Sequence, residues 1–139
     1  MRPDIEAALE RYHKREAKKE RIVKRIIKTR ELIDEDGYPT TWAGLCIKLW
    51  PNDQPNEWFN FIEQLWNFHS WGWSSTIEPH EYRTGRMVHR YNISTAGWSG
   101  NEYLIFMMNT HENLWHKTWV QSRRGGHYIF DVEIEDEHA

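Results

Sequence analysis

Ser99, Arg123, Arg124 and His127 are the residues whose types and spacing come nearest to chemistry in this sequence. Ser99 sits in Gly97-Trp98-Ser99-Gly100, which has the ingredients of a nucleophile elbow. That motif needs one residue between the serine and the second glycine, and here Gly100 follows Ser99 directly. Ser99 with Glu102 instead fits S-x-x-E, in which hydroxyl and carboxylate each satisfy a free backbone donor at a helix start. A capping box is the expected role. The same start, through the amides of Ser99, Gly100 and Asn101, could hold a phosphate or carboxylate. Arg123 or Arg124 would add a guanidinium fork and His127 a further donor. The plainer reading of Arg123-Arg124-Gly125-Gly126 is a hairpin turn, its glycines supplying positive φ.

Other clusters carry less. His111-Glu112 and His116 miss the H-E-x-x-H spacing by one residue, so two imidazoles would diverge on a helix and oppose each other on a strand. No metal site and no cofactor is assigned. Cys46, the sole cysteine, falls on an apolar helix face and reads as a buried, inert thiol.

The elements that must position these residues follow from caps and periodicity. Pro3, Asp4 and Glu6 open a long helix running to about Leu32, closed by Asp36-Gly37. Its apolar residues form two stripes, Ile5/Ala8/Leu9/Tyr12 and Ile22/Val23/Ile26/Ile27, separated by the charged HKREAKKER segment. That gap argues against a coiled coil and predicts docking by the C-terminal half alone. Thr40 is an N-cap for a short helix ended by Pro51. Asp53 and Pro55 start another, with Trp58, Ile62, Leu65, Trp66 and His69 on its inner face. From Thr76 the period changes to two, predicting strands at 76–83 and 86–95 and a helix from Ser99 to about Asn109. Alternation resumes at Leu114 and predicts a hairpin with His127–Ile134, followed by a frayed polar tail, 135–139. The expectation is an α+β fold: a long N-terminal helix and two shorter helices, then a β-β-α-β-β antiparallel sheet domain.

Charge divides the chain. Residues 1–30 hold eleven Lys/Arg against five Asp/Glu, a net +6, while the remainder holds seven against sixteen, a net −9. We read residues 1–36 as a basic helical arm and 37–139 as an acidic globular body. Lys14, Arg15, Lys18, Arg21, Lys24 and Arg25 are the candidates for contact with nucleic acid within residues 11–30. Docking of the arm on a second copy, giving a homodimer through the N-terminal helix, is the other use of that asymmetry. Nine Trp, six Tyr and five Phe supply a core and leave anchors for a protein partner. No apolar run is long enough to span a bilayer, and with one cysteine a reducing compartment is expected.

Gly37-Tyr38-Pro39-Thr40, Ser94-Thr95-Ala96-Gly97-Trp98-Ser99-Gly100-Asn101-Glu102, Trp115 and Trp119, and Ser122 to Tyr128 together resemble a group of small, uncharacterised phage and prophage proteins. The resemblance covers residues 37–130 and leaves out the basic arm. It implies the cytoplasm of a bacterial host and an accessory role, and it transfers no catalytic residue. Three functions follow as expectations: binding, even inhibition, of a host or defence protein; a nucleic-acid-binding module using the basic helix; or a small enzyme acting on a phosphorylated substrate.

Overall fold

The computed structural model describes residues 2–135. The expected tail therefore lies outside the described residues apart from Glu135, as does the His69 side chain. The order is α1 (Pro3–Thr29), α2 (Thr41–Leu49), α3 (Pro55–Leu65), α4 (His69–Gly72), β1 (Trp73–Pro79), β2 (Met87–Ser94), α5 (Ser99–Thr110), α6 (Glu112–Thr118), β3 (Trp119–Arg123) and β4 (His127–Glu133). The fold is α+β.

Local chemistry explains the boundaries. Pro3 occupies the first turn of α1 with Asp4 and Glu6, where a missing N–H and negative charge both suit the helix start. The Thr40 hydroxyl accepts from Ala43 N–H at 3.3 Å and donates to Glu31 O at 2.6 Å, joining the end of the α1 region to the start of α2. Asp34 Oδ1 accepts from the amides of Asp36 and Tyr38, shaping the turn at Gly37, whose φ is +85°. Pro55 opens α3.

The four strands form one antiparallel sheet in the order β1-β2-β4-β3. β2 runs into α5 and α6, and the chain re-enters the sheet at the far edge before β4 fills the centre. Trp73, Tyr91, Ile93, Phe130 and Val132 pack against Trp58, Phe59, Ile62, Leu104, Met108 and Leu114 of the helices. Phe59 stacks on Tyr91 with ring centroids 4.3 Å apart. Burying each such ring is worth roughly 2 kcal/mol or more. The other face carries Ser74, Thr76, Arg90, Asn92 and Asp131 at facing register positions. Arg90 there forms a two-pronged pair with Asp131, Nε–Oδ1 2.8 Å and Nη2–Oδ2 3.0 Å.

Three expectations need correction. Residues 114–118 are helical, not the start of a strand. His111 Nδ1 accepts from Leu114 N–H at 3.2 Å and Thr118 Oγ1 donates to Leu114 O at 2.6 Å, so the apparent alternation of Trp115, Lys117 and Trp119 is accidental. The helix containing Trp58 stops at Leu65, and Phe68, at φ +61°, separates it from α4. Finally, β1 begins at Trp73 and ends at Pro79, leaving 80–86 as a loop.

Candidate functional site

The Ser94–Glu102 and Ser122–Tyr128 segments do meet. Thr95 N–H donates to Gly126 O at 3.0 Å, and a Cβ on Gly126 would run into the Thr95 side chain. Asn101 is fully buried, its side chain accepting from Asn67 N–H at 2.9 Å and donating to Asn67 O at 2.9 Å and Thr95 O at 3.3 Å. It ties the α3–α4 corner to the β2–α5 loop. Gly100 is buried where any Cβ would strike the Trp98 indole, which in turn packs against Tyr38 at 4.8 Å. Ser94 O accepts from Trp66 Nε1 at 3.1 Å.

The Ser99–Glu102 capping box does not form. The N-cap of α5 is Trp98, without a side-chain cap bond, and Ser99 is already the first helical residue. A serine at that position has helical φ/ψ, so its hydroxyl no longer reaches the amides two and three residues on. The Glu102 amide is itself bonded to Trp98 O at 3.0 Å.

Arg123 and His127 are cross-strand partners at the β3–β4 end. They line a shallow cleft of about 350 Å³ with Trp71, Ser74, Asn92 and Ser94. Arg123 Nε donates to Gln121 Oε1 at 3.2 Å. An anion there would meet a guanidinium, an imidazole, the Asn92 amide and the Ser74 hydroxyl. Ser99, Gly100, Asn101 and Arg124 do not line this cleft. Trp71, 66 % exposed, stands at its rim and was not foreseen as a site residue. The signal for it was weak: one Trp among nine.

The basic helix is organised more sharply than its composition suggested. Ile5, Leu9, Tyr12, Glu16, Lys19, Val23 and Ile26 alternate at four and three residues and so share one face. Val23 and Ile26 are buried against the body. Glu16 Oε1 accepts from Asn52 N–H at 2.7 Å, Lys19 Nζ donates to Asn52 Oδ1 at 3.2 Å, and Asn52 Nδ2 donates to Tyr12 Oη at 3.3 Å. Docking therefore extends past the C-terminal half: polar contacts continue the seam through the segment that looked like a gap.

Opposite this seam, Arg11, Lys14, Lys18, Arg21, Arg25 and Lys28 recur at three and four residues, all exposed. At a rise of 1.5 Å per residue the row is roughly 25 Å long. Glu16 and Glu20 fall on the docked side of the helix, about half a turn away. Lys14 pairs loosely with Glu10 at 3.8 Å, and Lys24 leaves the row to pair with Glu20 at 3.0 Å. Arg15 flanks the row and is exposed. Among the described residues Arg11, Lys18, Arg21, Arg25 and Lys28 have no carboxylate partner.

A larger cleft of about 700 Å³ lies between the 80–86 loop and β3, lined by Arg86, Lys117, Tyr82, Trp119, Asp53 and Glu133 among others. Arg83 and His80 both address Glu133, and Arg90 addresses Glu81 as well as Asp131, so charges of both signs are interleaved along it. That mixture selects neither an anion nor a cation.

His111 is buried and bonded at both nitrogens. Since Nδ1 accepts from Leu114, Nε2 carries the proton it donates to Trp50 O at 2.6 Å. Burial holds its pKa below the ordinary histidine value. It is a helix cap. Cys46 is fully buried, and desolvation pushes its thiol up to about 11, so the reactive thiolate is suppressed at neutral pH. Among the described residues no three His, Cys, Asp or Glu side chains converge to hold a metal ion, and no helix is long and apolar enough to cross a membrane.

No family model matches the chain, and neither a curated protein nor a solved structure is similar enough to match it.

Proposed function

We propose that this chain is a phage-type accessory protein that acts by binding, and that the outward face of α1 engages the phosphate backbone of nucleic acid in a bacterial cytoplasm. The observation that carries the reading is the row Arg11, Lys14, Lys18, Arg21, Arg25 and Lys28, directed away from the seam that docks the helix. Glu16 and Glu20 lie on the docked side and Glu10 meets only Lys14, at 3.8 Å, so most of the row's field is uncancelled. Residues 31–139, with their net −9, are repelled by a polyanion while residues 1–30, with their net +6, are attracted, which orients the molecule arm-first.

Neutralising about six phosphates predicts that log K falls with log salt at a slope of about −5 on duplex DNA. Fluorescence anisotropy with a short labelled duplex tests this. Arg21→Glu with Arg25→Glu should abolish binding at moderate salt while leaving the circular dichroism spectrum unchanged, because both residues are exposed. Binding unaffected by the reversal would contradict the proposal.

A second reading is favoured by Trp71. An indole 66 % exposed beside Arg123 and His127 has the composition of a protein-binding hot spot. It suits a host or defence protein as partner. Co-purification from the bacterial host with the native chain and with Trp71→Ala separates the two: a partner retained by the native chain and lost by the variant supports the cleft.

A further inference from the structure

The two edges of the sheet are built differently. β3 is five residues long, is broken by a bulge between Trp119 and Gln121, and ends on Arg123. Short length, a bulge and a cation are the devices that stop one sheet edge from pairing with another. β1 is longer, has no bulge and carries no cation. It runs seven residues in unbroken register with β2, from Trp73↔Ile93 to Pro79↔Met87. Its single charge is Glu78, and its proline stands at the last position. Ser74, Ser75, Thr76 and Ile77 are all exposed, so the strand is bare on both faces as well as along its edge, and Ile77 is 59 % exposed.

The sequence of β1 is also compatible with itself. In an antiparallel pair of two copies centred on Thr76, Ser74 lies opposite Glu78 of the second copy, Ser75 opposite Ile77, and Thr76 opposite Thr76. No like charges meet, and a two-fold axis repeats each contact twice. Pro79, which cannot donate to a ladder, falls at the two ends. Ile77 from each copy is covered on the helix-bearing side by Ser75 of the other.

From this self-complementarity we infer that β1 is an interface between two copies of this chain, joining their four-stranded sheets into one antiparallel sheet of eight. The inference is independent of the function proposed for α1, since it uses β1 and requires no ligand.

Sedimentation velocity and cysteine cross-linking of the full chain test it. The native protein should show a concentration-dependent dimer. Thr76→Lys places two ammonium groups face to face on the axis and should give a monomer with unchanged circular dichroism. Leu9→Asp, on the exposed part of α1, should leave the dimer intact. Under mild oxidation Thr76→Cys should form a covalent dimer and Ser74→Cys should not. The Ser74 positions of two copies are offset by four residues, roughly 13 Å, beyond the reach of a disulfide. Cys46 is buried and does not compete. A native monomer at high micromolar concentration, a dimer that survives Thr76→Lys, a dimer lost in Leu9→Asp, or equal cross-linking at both positions would each overturn the inference.

Discussion

The segment pair Ser94–Glu102 and Ser122–Tyr128, and the outward face of α1, make an instructive contrast. The first is rich in residues associated with sites: serine, asparagine, paired arginines, glycines and a histidine. Its asparagine and two of its glycines are occupied internally, while Arg123, Arg124 and His127 stay exposed. Asn101 has three backbone partners, and Gly100 and Gly126 exist to let Trp98 and Thr95 approach. The second region is a plain run of Lys and Arg on a helix, yet its side chains have few partners and face solvent. Binding capacity resides in groups the fold leaves unmatched, and residue type alone does not reveal which groups those are.

The sharpest way to break the contrast is Asn101→Ala. Removing this side chain strands the buried Thr95 carbonyl and two part-buried backbone groups of Asn67, so a loss of about 2 kcal/mol is expected in urea unfolding. Binding of nucleic acid per folded molecule should not change. Next is Gly126→Ala. It adds a Cβ against Thr95 at a residue whose φ is +81°, and about 2 kcal/mol should be lost. A neutral result would mean that the hairpin is not held against the β2–α5 loop.

These two residues also mark what could be read from the sequence. The helix starts at Pro3, Thr40 and Pro55 were legible because a cap or a proline acts within one turn of itself. The 84–85 turn and the 123–126 turn were legible for the same reason. Asn101 was singled out as a binding residue because its partner Asn67 lies 34 positions away, and nothing local signals that bond. Residues 114–118 were misread because a seven-residue helix capped by His111 offers too few positions to separate a period of 3.6 from one of 2. The cationic row was present in the sequence throughout. Its meaning depended on knowing that Glu16, Lys19 and Asn52 fix which face of α1 is docked.

A gentler perturbation is pH. The folded pKa of His111 lies below its unfolded value of about 6.5 because burial penalises the imidazolium. Below pH 6.5 the unfolded chain binds more protons than the folded one. Stability from this group is therefore complete above that pH and declines as pH falls toward the lowered folded value. Urea midpoints from pH 7.5 downward should show the decline, and His111→Gln should remove it. The smallest effect belongs to Ser99→Ala. With no capping bond to lose, the change should stay within about 0.5 kcal/mol in the same unfolding assay. A full unit of loss would restore the capping box.

The central claim is that α1 is the working surface and the Ser122–Tyr128 hairpin is scaffold. It is tested most directly by the salt dependence of duplex DNA binding in two charge-removal variants. Arg21→Gln with Arg25→Gln should reduce the slope of log K against log salt by about 2, one for each phosphate contact removed. Arg123→Gln with Arg124→Gln should leave the slope of the native chain unchanged. A slope lowered by the hairpin pair and not by the helix pair would contradict the account.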